Sequence, residues 1–473
     1  MTDVNARSVA LDCLLQILED GAFSHTVLSA AREKYAWMRR EDRSFFTRLV
    51  HGTVEYRIQA DLVIGRYSTV KMRKMKPVVR NILRMSYYQL LYMDRVPVRA
   101  VTNEAVELTV RRGLRGLRGF VNALVRKMAS ERDAIRAELA ATKDLELKYS
   151  VPAWMADMMT ERYGREAAEG FFAACLEKQP LYVRIGRNAA ARELPGAERI
   201  SDIPGTEGQQ QLPGTEEPLR LPAMEESPYL PGIFRLPDSD VTGSMEALLS
   251  GRAYVQDLSS ALSVFAAAPA PGETVIDLCA APGGKSIAAA DMMEGKGQVL
   301  SFDISEAKAD RIRENAERSG FACIVPGVND ARVLRPEFLE KADLVIADLP
   351  CSGLGVIGRK PDIKENVTPE GLRELAALQR EILENAARYV KPGGRLLFST
   401  CTVDPLENEE NREWFLEGHP EFTAADLSER LRTIAGTPAG AHLQEGFCLL
   451  LPGQFPSDGF FFTLLKKKEA GHE

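Results

Sequence analysis

The chain has 473 residues, 45% hydrophobic and 27% charged, with a net charge of −7, which suits two to four soluble domains at roughly 100–200 residues each. No run approaches the ~18 apolar residues of a membrane span, and the opening MTDVNARSVALD carries acids ahead of any apolar run, so no signal peptide and no membrane partner are expected. Seven scattered cysteines at 13, 175, 279, 323, 351, 401 and 448 contain no CxxC pair, which argues against a zinc site or a disulfide framework and for a reducing, cytoplasmic setting.

Residues 1–140 read as helices. ARSVALDCLLQILED places Val9, Leu11, Leu14, Leu15 and Leu18 at helical spacing, with Gly21 as a stop. RSFFTRLVHGTVEYRIQADLVI, VVRNILRMSYYQLLYM, VTNEAVELTVRR and GFVNALVRKM continue the pattern, so an all-α bundle is expected. This part holds 25 Lys/Arg against 15 Asp/Glu, and the stretch Lys71–Lys127 alone holds 14 against 3. A basic module on an otherwise acidic chain reads either as a nucleic-acid footprint or as solvated helix faces.

Residues 141–250 are a small connecting α+β region. VPAWMADMMTERYGREAAEGFFAACLEKQ suggests two short helices, and PLYVRIGR a strand. A Pro/Gly/Glu-rich insertion is expected near 188–240, where PGTE occurs twice, with some strand later at PYLPGIFRL.

Residues 251–473 alternate strand and helix: ETVIDLCA, KSIAAADMM, GQVLSFD, EAKADRIRENAERSG, ACIVPG, ADLVIADLP, LRELAALQREILENAARYV, GGRLLFSTCTV and DGFFFTLLKK. That order predicts βαβ units and a mostly parallel, Rossmann-like sheet with helices on both faces. Ligands bind at the carboxyl ends of such strands, which brings Asp277–Gly284, Asp303, Asp348–Cys351 and Thr400–Thr402 to one edge.

DLCAAPGGKS follows the first of these strands. Its glycine pair lets backbone approach a ligand at a helix N-terminus. A phosphate loop GxxxxGK[ST] would need glycine where Cys279 stands, and GxGxxG is absent, so neither phosphate-binding motif applies. Asp303, 20 residues after Gly283, has the offset of a carboxylate gripping ribose hydroxyls, or caps the helix that follows it. Asp330 accepts from an adenine amino group or makes an Asx turn. In series, these point to an adenosyl cofactor without phosphates, S-adenosylmethionine. The candidate cofactor residues are Cys279, Ala280, Ala281, Pro282, Gly283, Gly284, Lys285, Asp303, Asp330 and Asp348. Two cysteines, Cys351 in DLPCSGLG and Cys401 in LLFSTC, sit at strand ends. The histidines at 25, 51, 419, 442 and 472 lie away from those ends, so a histidine-activated thiolate lacks a partner. Thiol addition to an electron-poor ring remains.

VRNILRMSYYQLLYMDRVPVRAVTNEAVEL with GFVNALVRKM resembles the NusB-type helical RNA-binding fold, which implies RNA at the basic surface, though such a domain also serves as a protein-docking module. DLCAAPGGKS, ADLPCSGLGVIGRKPDIK and LLFSTCTV resemble the RNA 5-methylcytosine methyltransferases of the Sun/Fmu type. The resemblance covers nearly the whole chain, least well at 188–240. It implies S-adenosylmethionine as cofactor, a cytosine of 16S small-subunit ribosomal RNA as substrate, and a monomeric enzyme. It also implies the roles: Cys401 attacks C6, Cys351 assists release, and Asp348 holds the base at N3. YVQDLSSAL would cap the cofactor site through Gln256 and Asp257, and RKPDIK (359–364) would contact RNA phosphate or the active-site turn. Leu349 stands where the family has alanine, and either reshapes the pocket or points into the sheet. Glu365 stands where an aromatic is common. The rivals are a cytosine methyltransferase of another RNA, such as transfer RNA, and a non-enzymatic RNA-binding factor.

Overall fold

The computed structural model describes residues 5–186, 224–236 and 253–469. Most of the segment expected as an insertion, with both PGTE copies, lies outside the described residues. The chain forms two compact units: residues 1–177 with 357–367, and residues 178–356 with 368–473. Among the described residues, no helix is long and apolar enough to cross a membrane.

The first unit is helical: α1 (Ala6–Leu18), α2 (Ser24–Lys34), α3 (Arg40–Glu55), α4 (Arg57–Tyr67), α5 (Pro77–Tyr92), α6 (Val98–Arg111), α7 (Arg118–Ser130), α8 (Arg132–Ala141), α9 (Leu145–Tyr149), α10 (Ala153–Tyr163) and α11 (Arg165–Leu176). Local signals set several ends. The Asn5 side chain accepts from Ser8 N–H at the start of α1, and Asp144 accepts from Glu146 and Leu147 N–H at the start of α9. The apolar stripes of α1, α3, α5, α6 and α7 close one core around Leu14, Phe46, Leu83, Tyr87 and Val125. The helical stretch expected over 43–64 forms two helices, which meet at Tyr56.

This unit also takes in residues 357–367. Asp362 accepts from Ser24 N (3.0 Å) and Ser24 Oγ (2.5 Å) at the start of α2. The Lys364 ammonium, on a residue only 5% exposed, donates to the main-chain oxygens of Glu55 (2.8 Å) and Ser150 (3.0 Å). Glu365 pairs with Arg57. The RKPDIK stretch expected at RNA phosphate or the active-site turn therefore spends Asp362 and Lys364 inside the helical unit. Their charges are buried because Ser24 N–H and two carbonyls there need partners.

The second unit holds two sheets. The smaller is antiparallel, in the order β2-β3-β1-β4, from β1 (Leu181–Ile185), β2 (Glu225–Glu226), β3 (Ile233–Leu236) and β4 (Ala253–Val255). After α12 (Leu258–Ala267) the larger sheet begins. Its elements are β5 (Thr274–Asp277), α13 (Gly284–Met292), β6 (Gln298–Asp303), α14 (Glu306–Ser319), β7 (Ile324–Val328) and β8 (Ala342–Asp348). After α15 (Ile363–Asn366), which lies in the helical unit, come α16 (Pro369–Tyr389), β9 (Val390–Thr400), α17 (Glu409–Gly418), β10 (Phe422–Ala424), β11 (Phe447–Leu450) and β12 (Phe460–Lys467). The order is β10-β12-β9-β8-β5-β6-β7, with β11 also paired to β12.

Strands β9, β8, β5, β6 and β7 run parallel, and β12 is antiparallel to β9. The central strands read as short continuous apolar runs because both faces are covered. Leu262, Ile287 and Ala288 pack on one face, and Ile382, Leu383, Ala386 and Phe415 on the other. From β5 the chain builds outward to β7, then crosses back to β8. The switch point therefore falls between β5 and β8, the position at which sheets of this kind bind ligands.

Candidate active site

The loop after β5 lies at that switch point. Asp277, the last residue of β5, is fully buried, and its Oδ2 accepts from Ser286 Oγ at 2.7 Å. Burial pushes its carboxyl up to about 7. Gly283 has φ +105°, a left-handed conformation that suits glycine, and α13 starts at the next residue. Ala280 N donates to Phe302 O (2.8 Å) and Ala281 N to Asp303 Oδ2 (3.0 Å), so the Cys279–Gly284 turn is tied to the end of β6. Cys279 itself is a largely buried thiol, held protonated by burial, and packs with the apolar core.

Asp303 takes Ile304 N (2.8 Å) and the Lys308 ammonium (2.9 Å) on its other oxygen. It does not cap α14, whose N-cap position is Ser305. Asp330 makes the Asx turn: its Oδ1 accepts from Arg332 N at 3.0 Å. The Arg332 guanidinium also grips both oxygens and holds that carboxyl below its usual range. Beside it, Asn329 is buried and its Nδ2 has no partner among the described residues, nor has Asp277 Oδ1. Unpaired buried polar atoms are costly, and here they leave one donor and one acceptor at the strand ends. That donor set, on a turn with no phosphate-binding motif, fits an adenosyl cofactor.

Lys285 was expected with the cofactor turn. Its Nζ lies 2.6 Å from Asp348 Oδ2 and 5.0 Å from the centroid of the Phe460 ring. Asp348 Oδ1 accepts from Ser399 Oγ at 2.8 Å. The acid at the end of β8 is therefore fixed from both sides. Leu349 is buried in the core with Val345, Ala347, Ile382 and Phe398, and its N–H donates to Ser399 O (2.9 Å). It points into the sheet packing.

The two cysteines meet. Cys351 Sγ and Cys401 Sγ are 3.3 Å apart, both partly exposed, on the turns after the parallel neighbours β8 and β9. The hydrogen bond to Cys401 raises the Cys351 thiol well above the ordinary range, and burial adds to it. A Cβ on Gly355 would lie 2.0 Å from Gly459 O and 2.8 Å from Cys401 O, so only glycine lets these backbones touch. Asp257 caps α12 by accepting from Ser259 N, while Gln256 Nε2 reaches Gly284 O at 3.2 Å. Phe460, Phe461 and Phe462 are core. Sequence reasoning missed the polar side chains behind the cysteines: Gln379, Glu407 and Asn408. For Glu407 and Asn408 the run LENEEN, which begins five residues past Cys401, was the available signal.

A sheet switch point with a non-phosphate glycine turn, strand-end acids and paired thiols, in a chain that also carries a helical unit, defines an S-adenosylmethionine-dependent methyltransferase. Comparison with known proteins supplies the family. The NusB family matches residues 4–130, and the family described as 16S rRNA methyltransferase RsmB/F matches residues 264–466. A Bacillus subtilis protein, "Probable ribosomal RNA small subunit methyltransferase B", is 33% identical over 99% of this chain and 100% of its own. A Citrobacter koseri "Ribosomal RNA small subunit methyltransferase B" is 29% identical over 99% and 100%. The crystal structure of PH0851 matches with a TM-score of 0.74 at 26% identity, covering 98% of each chain. The chain belongs to the RsmB/F family of 16S rRNA methyltransferases.

Proposed function

We propose that the protein methylates C5 of a cytosine in small-subunit ribosomal RNA through a covalent adduct between Cys401 and C6 of the base. The observation that carries this is the 3.3 Å approach of Cys351 and Cys401 at the ends of β8 and β9, next to Asp348. C5 of cytosine is a poor nucleophile. Addition of the Cys401 sulfur to C6 turns C5 into an enamine-like carbon. Bound S-adenosylmethionine supplies the activated methyl group that C5 takes up. Cys279–Gly284, Lys285, Asp303 and Asp330 are the residues proposed to hold or frame that cofactor.

The remaining work falls to this chain. Asp348, steadied by Lys285 and Ser399, holds the base at N3 through the proton that N3 takes up as the Cys401 thiolate adds to C6. Cys351, 3.3 Å from Cys401, is the group that helps the Cys401 sulfur leave once C5 has given up its proton to water. A base must leave its stack to enter such a crevice, so single-stranded or looped RNA is the substrate form. The names of the relatives support ribosomal RNA as the target.

Cys401→Ala is expected to lower methyl transfer by about 10³-fold or more, and retained activity would remove it as the nucleophile. Cys351→Ala should leave a protein–RNA adduct visible on denaturing gels. Bisulfite sequencing of RNA from a deletion strain should show one lost methylcytosine in small-subunit RNA. Loss from transfer RNA instead would move the substrate.

A further inference from the structure

Each cysteine is flanked by main-chain and side-chain atoms that a second layer grips. Ahead of Cys351, Pro350 O accepts from Gln379 Nε2 at 3.0 Å. After it, Ser352 N donates to Glu407 Oε2 at 2.9 Å, and Ser352 Oγ donates to Glu407 Oε1. Gln379 Nε2 also donates to Glu407 Oε2 at 2.8 Å. Ahead of Cys401, Thr400 Oγ1 donates to Asn408 Oδ1 at 2.5 Å; after it, Thr402 O accepts from Asn408 Nδ2 at 3.0 Å. The two turns are joined by Ser352 Oγ and Thr402 Oγ1, 2.7 Å apart. Glu407, Asn408 and Gln379 are fully buried. A fully buried carboxylate is costly unless its acceptors are filled, and here the Cys351 turn fills them.

We propose that the adjacent residues Glu407 and Asn408 are the positioning residues of the thiol pair, Glu407 holding the Cys351 turn and Asn408 the Cys401 turn. The inference rests on the adduct chemistry above, and it divides that chemistry between two neighbouring side chains. Neither residue touches the base. Each sets where one sulfur stands, and small displacements of reacting groups cost large factors in rate. If Cys401 attacks and Cys351 releases, the two residues fail in different ways.

The test follows turnover and adduct in the full-length protein with S-adenosylmethionine and small-subunit RNA. Glu407→Gln keeps the size of the side chain and removes one acceptor. It should slow turnover by about tenfold and accumulate the covalent adduct. Asn408→Ala should slow turnover by a similar factor and accumulate none. Should Asn408→Ala fold poorly, Asn408→Asp, which keeps the acceptor for Thr400 and loses the donor to Thr402, takes its place with the same expected outcome. Cofactor affinity by calorimetry should stay unchanged in all three, which a general loss of folding would not allow. Turnover within twofold of the parent in both positions, or losses that track the folded fraction with no difference in adduct, overturns the assignment. If Cys351→Ala with Glu407 and Asn408 intact gives no adduct, the underlying chemistry fails instead. A bifunctional thiol reagent then still reads the geometry. It should bridge Cys351 and Cys401 in the parent and much more slowly in the variants, and equal bridging overturns the positioning role.

Discussion

Lys285 carries its ammonium to Asp348, with the Phe460 ring beside it. Lys285→Met should therefore cut turnover by about 10–100-fold, measured by steady-state kinetics. Asp404 gives a second prediction. It is buried, its Oδ2 has no partner among the described residues, and burial with the nearby Glu407 and Glu410 charges pushes its carboxyl up to about 7. The folded state thus holds this proton more tightly than the unfolded chain, so the stabilising contribution is complete below about pH 4 and is lost as pH rises through about 7. Asp404→Asn should shrink the fall in unfolding free energy between pH 5 and pH 8 by on the order of 2 kcal/mol, read from urea titrations. Asp277 and Glu55, also pushed up to about 7 by burial, account for part of the remaining slope. At this scale the sequence was most informative where chemistry demands a residue type: the glycine turn, the strand-end acids and both cysteines. It was least informative where a residue's partner decides its part. Asp330 meets Arg332 two residues on, Leu349 turns into the core, and nothing local marks Glu407 as the acceptor for the residue after Cys351.

At the scale of elements, the alternation of strands and helices was legible because central parallel strands are apolar runs bounded by turns. The break at Tyr56 within the helical stretch expected over 43–64 was not legible, because the apolar spacing continues across it. The stretch RKPDIK (359–364), expected at RNA phosphate or the active-site turn, differs for a physical reason: Asp362 and Lys364 are among the most buried charges of the helical unit. Lys364→Met leaves the carbonyls of Glu55 and Ser150 without their shared donor. It should destabilise that unit by about 2–3 kcal/mol, measured as a lower midpoint in thermal unfolding. α16 offers a milder case. Thr368 accepts from Gly371 N with Pro369 at the first helical position, so Thr368→Ala should cost about 1 kcal/mol.

For the whole molecule, a helical unit and a methyltransferase unit were both readable from composition, charge and motif order. Their division along the chain was not readable, because the helical unit is completed by eleven residues that lie between Cys351 and α16. A fragment of residues 1–177 lacks the partners of Ser24 N–H, Glu55 O and Ser150 O. It should melt below the same unit in the full chain and regain stability when the 357–367 peptide is added.

The Ser24–Asp362 contact closes over 338 residues. During synthesis the helices of the first unit leave the ribosome long before the segment that completes them: another 190 residues separate Glu177 from Val367. At 5–20 residues per second that is a wait of roughly 10–40 s. Through that interval Ser24 N–H and the carbonyls of Glu55 and Ser150 lack the Asp362 and Lys364 that fill this slot in the folded protein. The last strands of the methyltransferase sheet are made only after the slot's occupant, so the order of synthesis itself lets the helical unit close before the catalytic sheet is complete.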